Sequence, residues 1–362
     1  MGPVGVTLEP VMSEDAATPD QEPGSPHPRA VFELFGHETA EAELADSLSG
    51  GRSHHAWLIT GPKGVGKATL AYRFARRLLG ASPASTSPLA SLPDDPISRK
   101  IAQGAHADLR TATRLDPEKG EIKRDVTVAA IRDLTHFFTM TSDGAGGVRV
   151  GIVDCADDMS SNAANALLKT LEEPPPGGTL ILLAHAPGRL LPTLRSRCRR
   201  LDLACLSEDA MAKALPDVDV TTRALGAGRP GRARALAALN AAKLYGSLSR
   251  YLSGLPRAPL DEALALAEAC SDADRFHAVF DMMEDWLARA GRAGPGLEIS
   301  EIEPGESILL ARLAAGAGTD GAAKAWSHVR EVRTKVEALN LDRSLATLEA
   351  LRAIRADLAP IH

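Results

Sequence analysis

One stretch limits the folds open to this chain more than any other: residues 56–71, AWLITGPKGVGKATLA. Trp57, Leu58 and Ile59 make an apolar run too short for a helix and followed at once by glycines, which predicts a buried strand feeding a tight loop. The loop is GPKGVGK, from Gly61 to Lys67. Beyond it Leu70, Phe74, Ala75, Leu78 and Leu79 recur at helical spacing. Strand, glycine-rich loop and helix is the setting a phosphate-binding loop requires, because backbone N–H groups and a helix N-terminus must converge on one anion. Gly61 opens the loop, Gly64 and Gly66 let the backbone approach phosphate, and Lys67 would reach the terminal phosphates. The plainer alternative is a glycine-rich turn closing a βα unit without a ligand, and the flanking strand and helix weigh against it.

One residue breaks the pattern. A hydroxyl should follow the lysine to ligate Mg²⁺, but Ala68 stands there. Thr69 comes one place too late, on another side of the helix, and counts only as part of a degenerate nucleotide site. The loop is built for phosphate and lacks the metal ligand.

A carboxylate is the next expected part. VRVGIV, 148–153, predicts a strand ending in Asp154, where phosphate-loop folds hold the water shell of Mg²⁺. Hydrolysing proteins of this kind continue with a glutamate that polarises the attacking water. Here Cys155 and Ala156 follow, and a neutral thiol cannot serve as that base. Two independent losses in one site point to binding without cutting.

Composition narrows the class. With 362 residues, two or three domains are expected. A net charge of −6 argues against a stand-alone nucleic-acid binder, which would carry a basic face. Aromatics at 4% and an Ala/Leu-rich second half point to helices. Cys155, Cys198, Cys205 and Cys270 are scattered with no CxxC pair, fitting reduced thiols better than a disulfide frame or zinc site. No apolar run approaches a membrane span and no signal-peptide pattern leads the chain, so a cytoplasmic protein is expected.

Along the chain, residues 1–28 hold five acidic side chains, six prolines and no Lys or Arg, which predicts a disordered tail. A helix is expected over about 38–48, stopped by Gly50 and Gly51. An exposed loop is expected over 81–96, a short helix over 97–103 and a strand from about 106 to 115. The charged run 116–125, DPEKGEIKRD, reads as a solvated hairpin, and 143–147 as a break. Val128, Ile131, Leu134 and Phe138 predict an amphipathic helix, as do Ala163, Ala164, Leu167, Leu168 and Leu171, the latter stopped at Pro174. TLILLA, 179–184, predicts another buried strand. His54, His55 and His185 lack a ligand spacing and are assigned packing or solvent roles. Between 195 and 200 lie four arginines: either a solvated basic turn or an arginine finger reaching a neighbour's γ-phosphate.

GPKGVGK, VDCADDM, NAANALLKTLEEPP and LLPTLRSRC, in this order and spacing, resemble the AAA+ clamp-loader family, and within it the delta-prime branch of the bacterial DNA polymerase III clamp loader. The resemblance covers about 29–205 strongly and the remainder more thinly. It implies an α/β P-loop AAA+ domain over 29–205, with a parallel sheet flanked by helices. A small helical lid over 206–239 and an all-α collar for oligomerisation over 240–362 follow, with helices expected over 260–269, 273–290, 322–338 and 345–356 and a break over 291–304. It further implies a stator: a non-hydrolysing subunit that completes a neighbour's site. Arg197, in Ser196-Arg197-Cys198, would be the finger offered in trans. The nucleotide-sensing arginine of hydrolysing relatives aligns with Gly231, with Arg232 adjacent.

Implied partners are a gamma/tau-type ATPase and a delta subunit in a pentamer, the sliding clamp, and primed DNA reached through the assembly. No cofactor is required, although the loop leaves room for weak ATP or ADP binding. The family's zinc cysteines after the first helix are absent, so no zinc is expected. The competing reading is an active motor-type clamp-loader ATPase whose Thr69 or a water replaces the lost hydroxyl. A small nucleotide kinase fits less well, since no basic acceptor-binding lid stands out.

Overall fold

The computed structural model describes residues 20–49, 54–116, 119–140, 147–293 and 301–359. The first nineteen residues of the expected tail, the glycines expected to end the first helix, residues 143–146 of the expected break at 143–147 and residues 294–300 of the one at 291–304 lie outside them. The contacts divide the chain into two units: residues 1–62 with 67–203, and residues 63–66 with 204–362.

In the first unit, β1 (Ala56–Thr60), β2 (Leu109–Ala112), β3 (Arg149–Asp154), β4 (Gly178–Ala184) and β5 (Arg199–Asp202) form one all-parallel sheet in the order β2-β3-β4-β1-β5. β1 lies between β4 and β5, with Trp57 opposite Ile181 on one side and Arg199 on the other. Parallel sheets need both faces covered, and the strands accordingly read as continuous apolar runs rather than alternating ones. α4 (Val128–Phe137) and α5 (Ser161–Glu172) cover the face of Leu58, Val153, Leu180 and Leu182. α2 (Lys67–Leu78) packs on the other, where the Phe74 ring meets Trp57 edge-on at 5.9 Å between centroids. α1 (Glu38–Ser49) is fastened to α2 by the buried pair Arg73–Glu41, 2.6 Å apart. α3 (Pro96–Ala102) is capped by the Asp95 carboxylate, and α6 (Pro192–Arg195) is a single turn.

The second unit is all helix: α7 (Glu208–Ala214), α8 (Val220–Gly226), α9 (Pro230–Ala238), α10 (Ala241–Ser253), α11 (Leu260–Ala269), α12 (Ala273–Arg292), α13 (Glu306–Leu339) and α14 (Arg343–Asp357). Its core is built around Tyr245, Phe276, Phe280 and Trp286. The Glu306 carboxylate, at the start of α13, is buried against Arg289 (2.5 Å) and the Tyr245 hydroxyl. Among the described residues no helix is long and apolar enough to cross a membrane.

Four expectations need correction. The segment from Asp20 to Pro28 is placed rather than loose: the Asp20 and His27 side chains are only 9% and 10% exposed, and a 3₁₀ turn covers Pro28–Ala30. The 81–96 loop is not wholly exposed, since Leu89, Ala90 and Ser91 are buried. Half of the basic run is strand: Arg199 and Arg200 lie in β5, an edge strand whose one buried residue is Leu201. Such a strand carries too little apolar periodicity to be read from sequence. Finally, α13 begins at Glu306, not near 322, and continues through Gly316, Gly318 and Gly321. Interior glycines cost a helix about 1 kcal/mol each, and packing along α12 outweighs that propensity.

Candidate nucleotide site

The sheet order reverses beside β1, so the carboxyl ends of β1, β4 and β3 open onto one crevice, where ligands bind in open α/β sheets. The glycine-rich loop leaves β1 there. Gly61 has φ +146°, and a Cβ at this position would lie 2.4 Å from the Leu203 carbonyl oxygen. Only glycine lets the loop leave the strand so close to the chain that follows β5. Gly64 and Gly66 also have positive φ, +79° and +112°. Within the second unit the Gly64 carbonyl accepts the Gly231 N–H at 2.9 Å, so the loop tip is tied to the first turn of α9.

Lys67 is the first residue of α2 and is 4% exposed. Its Nζ donates to the carbonyls of Gly61 and Pro62, both at 2.8 Å. Burial brings its ammonium pKa down to about 8, against the pull of the acidic groups around it, Asp154 and Asp157 among them. Ala68 and Thr69 follow on the first turn, about 100° and 200° round the helix from the lysine. Thr69 is therefore turned well away from Lys67.

Asp154 ends β3, one strand beyond β4. Burial, and after it the negative charges of Asp20 and Glu22, raise its carboxyl pKa to about 6, while Lys67 pulls the other way. The neighbouring Cys155 thiol donates to Asp154 Oδ1 at 3.4 Å and lies 3.0 Å from His185 Nε2. Burial first, then the surrounding carboxylates, push this thiol above its ordinary range, so it is protonated at neutral pH and no base. A protonated thiol at this position cannot take a further proton from water.

His185 packs at this end of the sheet. It follows β4 directly, its N–H donates to both Asp157 carboxylate oxygens at 3.1 and 3.2 Å, and its ring faces Cys155. The signal for it was topological, since a residue leaving a strand between β1 and β3 must emerge in the crevice.

The crevice suits polyphosphate: positive-φ glycines, a helix N-terminus and a lysine. It does not suit Mg²⁺ as a hydrolysing site holds it, because Ala68 offers no oxygen. Arg197 lies elsewhere, in the turn between α6 and β5. Its Nη1 donates to Thr193 O at 2.9 Å and its Nη2 is 2.6 Å from Glu172 Oε1, with 35% of the side chain exposed. Neither partner belongs to the cradle. Arg232, next to the expected sensor slot, instead reaches Asp281 and Asp285 on α12 at 3.7 and 3.5 Å.

A family model described as "DNA polymerase III, delta subunit" matches residues 36–207. The chain is 40% identical over 177 residues to the DNA polymerase III subunit delta' of Pseudomonas aeruginosa, covering 47% of this chain and 51% of that one. It is 36% identical over 209 residues to the subunit delta' of Escherichia coli (strain K12), covering 54% and 58%. The DNA polymerase III subunit tau of the same organism is 30% identical over 191 residues, covering 53% of this chain and 28% of its own. The chain thus spans little more than half the length of these delta' relatives, and the matched stretch is the one that carries the sheet and the crevice. Residues 36–207 are thus similar to the corresponding part of DNA polymerase III delta' subunits.

Proposed function

We propose that this chain is the stator of a DNA polymerase III clamp loader: a subunit that does not hydrolyse ATP and lends Arg197 to the nucleotide site of a neighbouring gamma/tau-type ATPase. In this reading a delta subunit completes the pentamer, and the assembly opens a sliding clamp and closes it on primed DNA in the cytoplasm. Residues 206–239 serve as lid and 240–362 as collar. The observation that carries the proposal is the pairing at the crevice of an intact phosphate cradle with two chemical losses. Ala68 supplies no oxygen to a metal, and the Cys155 thiol, half-buried and hydrogen-bonded to Asp154, cannot accept a proton from water. Gly61, Gly64, Gly66 and Lys67 would hold a phosphate chain weakly, Asp154 stands by, and Thr69 takes no part. No zinc enters the reading.

Arg197 is suited to the role by position. It sits in a short turn at the surface, held by the Thr193 carbonyl and by one exposed carboxylate that a more negative γ-phosphate would outbid. In a reconstituted loader, Arg197→Ala in this chain is expected to reduce turnover at the affected site by about 10³-fold or more, the scale of arginine fingers supplied in trans. Unchanged turnover rules out the finger. The purified chain alone should not turn over ATP; steady hydrolysis abolished by Lys67→Ala would establish a motor-type ATPase instead.

A further inference from the structure

The tip of the phosphate loop, residues 63–66, belongs with the helices of the second unit. What holds it there is α9. That helix has no side-chain N-cap, and Pro230 brings no N–H to its first turn. The next N–H, that of Gly231, is donated to the Gly64 carbonyl at 2.9 Å. The loop tip is therefore the cap of α9, satisfying one of the donors that a helix start leaves open. The fit leaves no room at this point. A Cβ on Gly64 would lie 2.9 Å from the Arg232 backbone nitrogen, and φ of +79° is itself strained for any side chain. Arg232 is the third residue of α9, and its side chain runs to α12, with Nη2 3.7 Å from Asp281 Oδ2 and 3.5 Å from Asp285 Oδ2. These two carboxylates stand one turn apart on a single face of α12. The other oxygen of Asp281 is 2.7 Å from Arg333 Nη1 on α13, and the same nitrogen lies 3.2 Å from Glu284 Oε1. One carboxylate thus joins α9 to α13 across α12. A lone exposed ion pair holds little, but here two arginines from two helices share the acids of a third.

We propose that the loop tip, α9 and α12 form a strut. Gly64 sets the start of α9, and Arg232 carries that setting to Asp281 and Asp285, so that the shape of the phosphate loop and the packing of α12 on α13 change together. Arg232 is in this sense a positioning residue: it touches no ligand and acts through the acids of α12. Such a coupling is reciprocal, so a change made at either end must be felt at the other. A polyphosphate settling in the loop is one event the strut would transmit to α12, and a shift of α12 is one it would return to the loop. The inference invokes neither a bound nucleotide nor Arg197, so it goes beyond the stator reading and does not depend on it.

The test is hydrogen exchange of the full chain, followed by mass spectrometry, with Gly64→Ala as the change at the loop. Exchange should speed by at least about tenfold over residues 230–238 and at least about threefold over 277–286, while α4 and α14 keep their rates. In an Arg232→Met background, Gly64→Ala should still loosen 230–238 and should leave 277–286 as it was. Unchanged exchange over 277–286 in the first variant overturns the strut. An equal rise over 277–286 with and without Arg232 overturns it too, because the effect then travels by another route. A uniform rise that includes α4 and α14 is a loss of global stability and also overturns it. Should Gly64→Ala fail to fold, Asp281→Asn/Asp285→Asn decides from the other end. By reciprocity exchange over 61–66 and 230–238 should then speed by at least about threefold, and unchanged rates in both segments overturn the proposal.

Discussion

The Arg197 guanidinium lies 2.6 Å from the Glu172 carboxylate, so the arginine proposed to serve a neighbour is held, in the single chain, by the last residue of its own α5. Both side chains are substantially exposed, and such pairs are worth about 0–1 kcal/mol. Glu172 therefore orients Arg197 at almost no cost to releasing it.

From this, Glu172→Gln should leave the melting temperature within about 2 °C, read by differential scanning calorimetry. In a reconstituted loader it should preserve turnover, because the guanidinium is still present. Arg197→Lys should not rescue turnover, since an ammonium cannot present the guanidinium's planar fork to phosphate oxygens.

Restoring the missing hydroxyl should not restore hydrolysis. Ala68→Ser supplies an oxygen to Mg²⁺, but the protonated Cys155 remains where a base is needed. The single variant should stay at background in a coupled ATPase assay of the isolated chain. Turnover in it would mean that some other group activates water.

The raised carboxyl of Asp154 gives a signed pH dependence. Its folded pKa of about 6 lies above the ordinary 3.8, so the folded chain binds this proton more tightly than the unfolded chain does. Its contribution to stability is then highest at acid pH and falls as pH rises from about 4 through 6. Asp154→Asn should stabilise the chain at pH 7.5 by about 1–3 kcal/mol, and the advantage should disappear near pH 4. Paired urea unfolding curves of the two proteins at each pH provide the check.

In the second unit the vulnerable group is Glu306. Its side chain is 1% exposed and accepts from Arg289 and Tyr245. Glu306→Ala should cost about 3–5 kcal/mol, because it strands a buried guanidinium. Combining it with Arg289→Met should recover part of that loss, a non-additivity visible in a double-mutant cycle by urea unfolding.

How much of this was legible in the chain depended on the range of the interaction concerned. β1, β3 and β4 were readable because strands buried on both faces are continuous apolar runs, and α4, α5, α11, α12 and α14 because one apolar face recurs at helical spacing. β5 escaped, since an edge strand with Leu201 alone buried has no such pattern. The first half of α13 escaped because glycine-rich sequence argues locally against helix and only packing on α12 overrides it.

By itself the sequence determined the identity of the groups: a phosphate loop with its lysine, an alanine where a hydroxyl belongs, a cysteine where a base belongs, and an arginine in a short turn. These are covalent facts that no fold can alter. The tertiary structure alone decided what each group faces: His185 against Cys155, Arg232 against Asp281 and Asp285, and His27 against Tyr72 on the helix of the phosphate loop. Such neighbours are set by strand order and by side-chain burial between residues far apart in the chain, and electrostatic effects depend on distance and exposure, which a linear sequence does not contain.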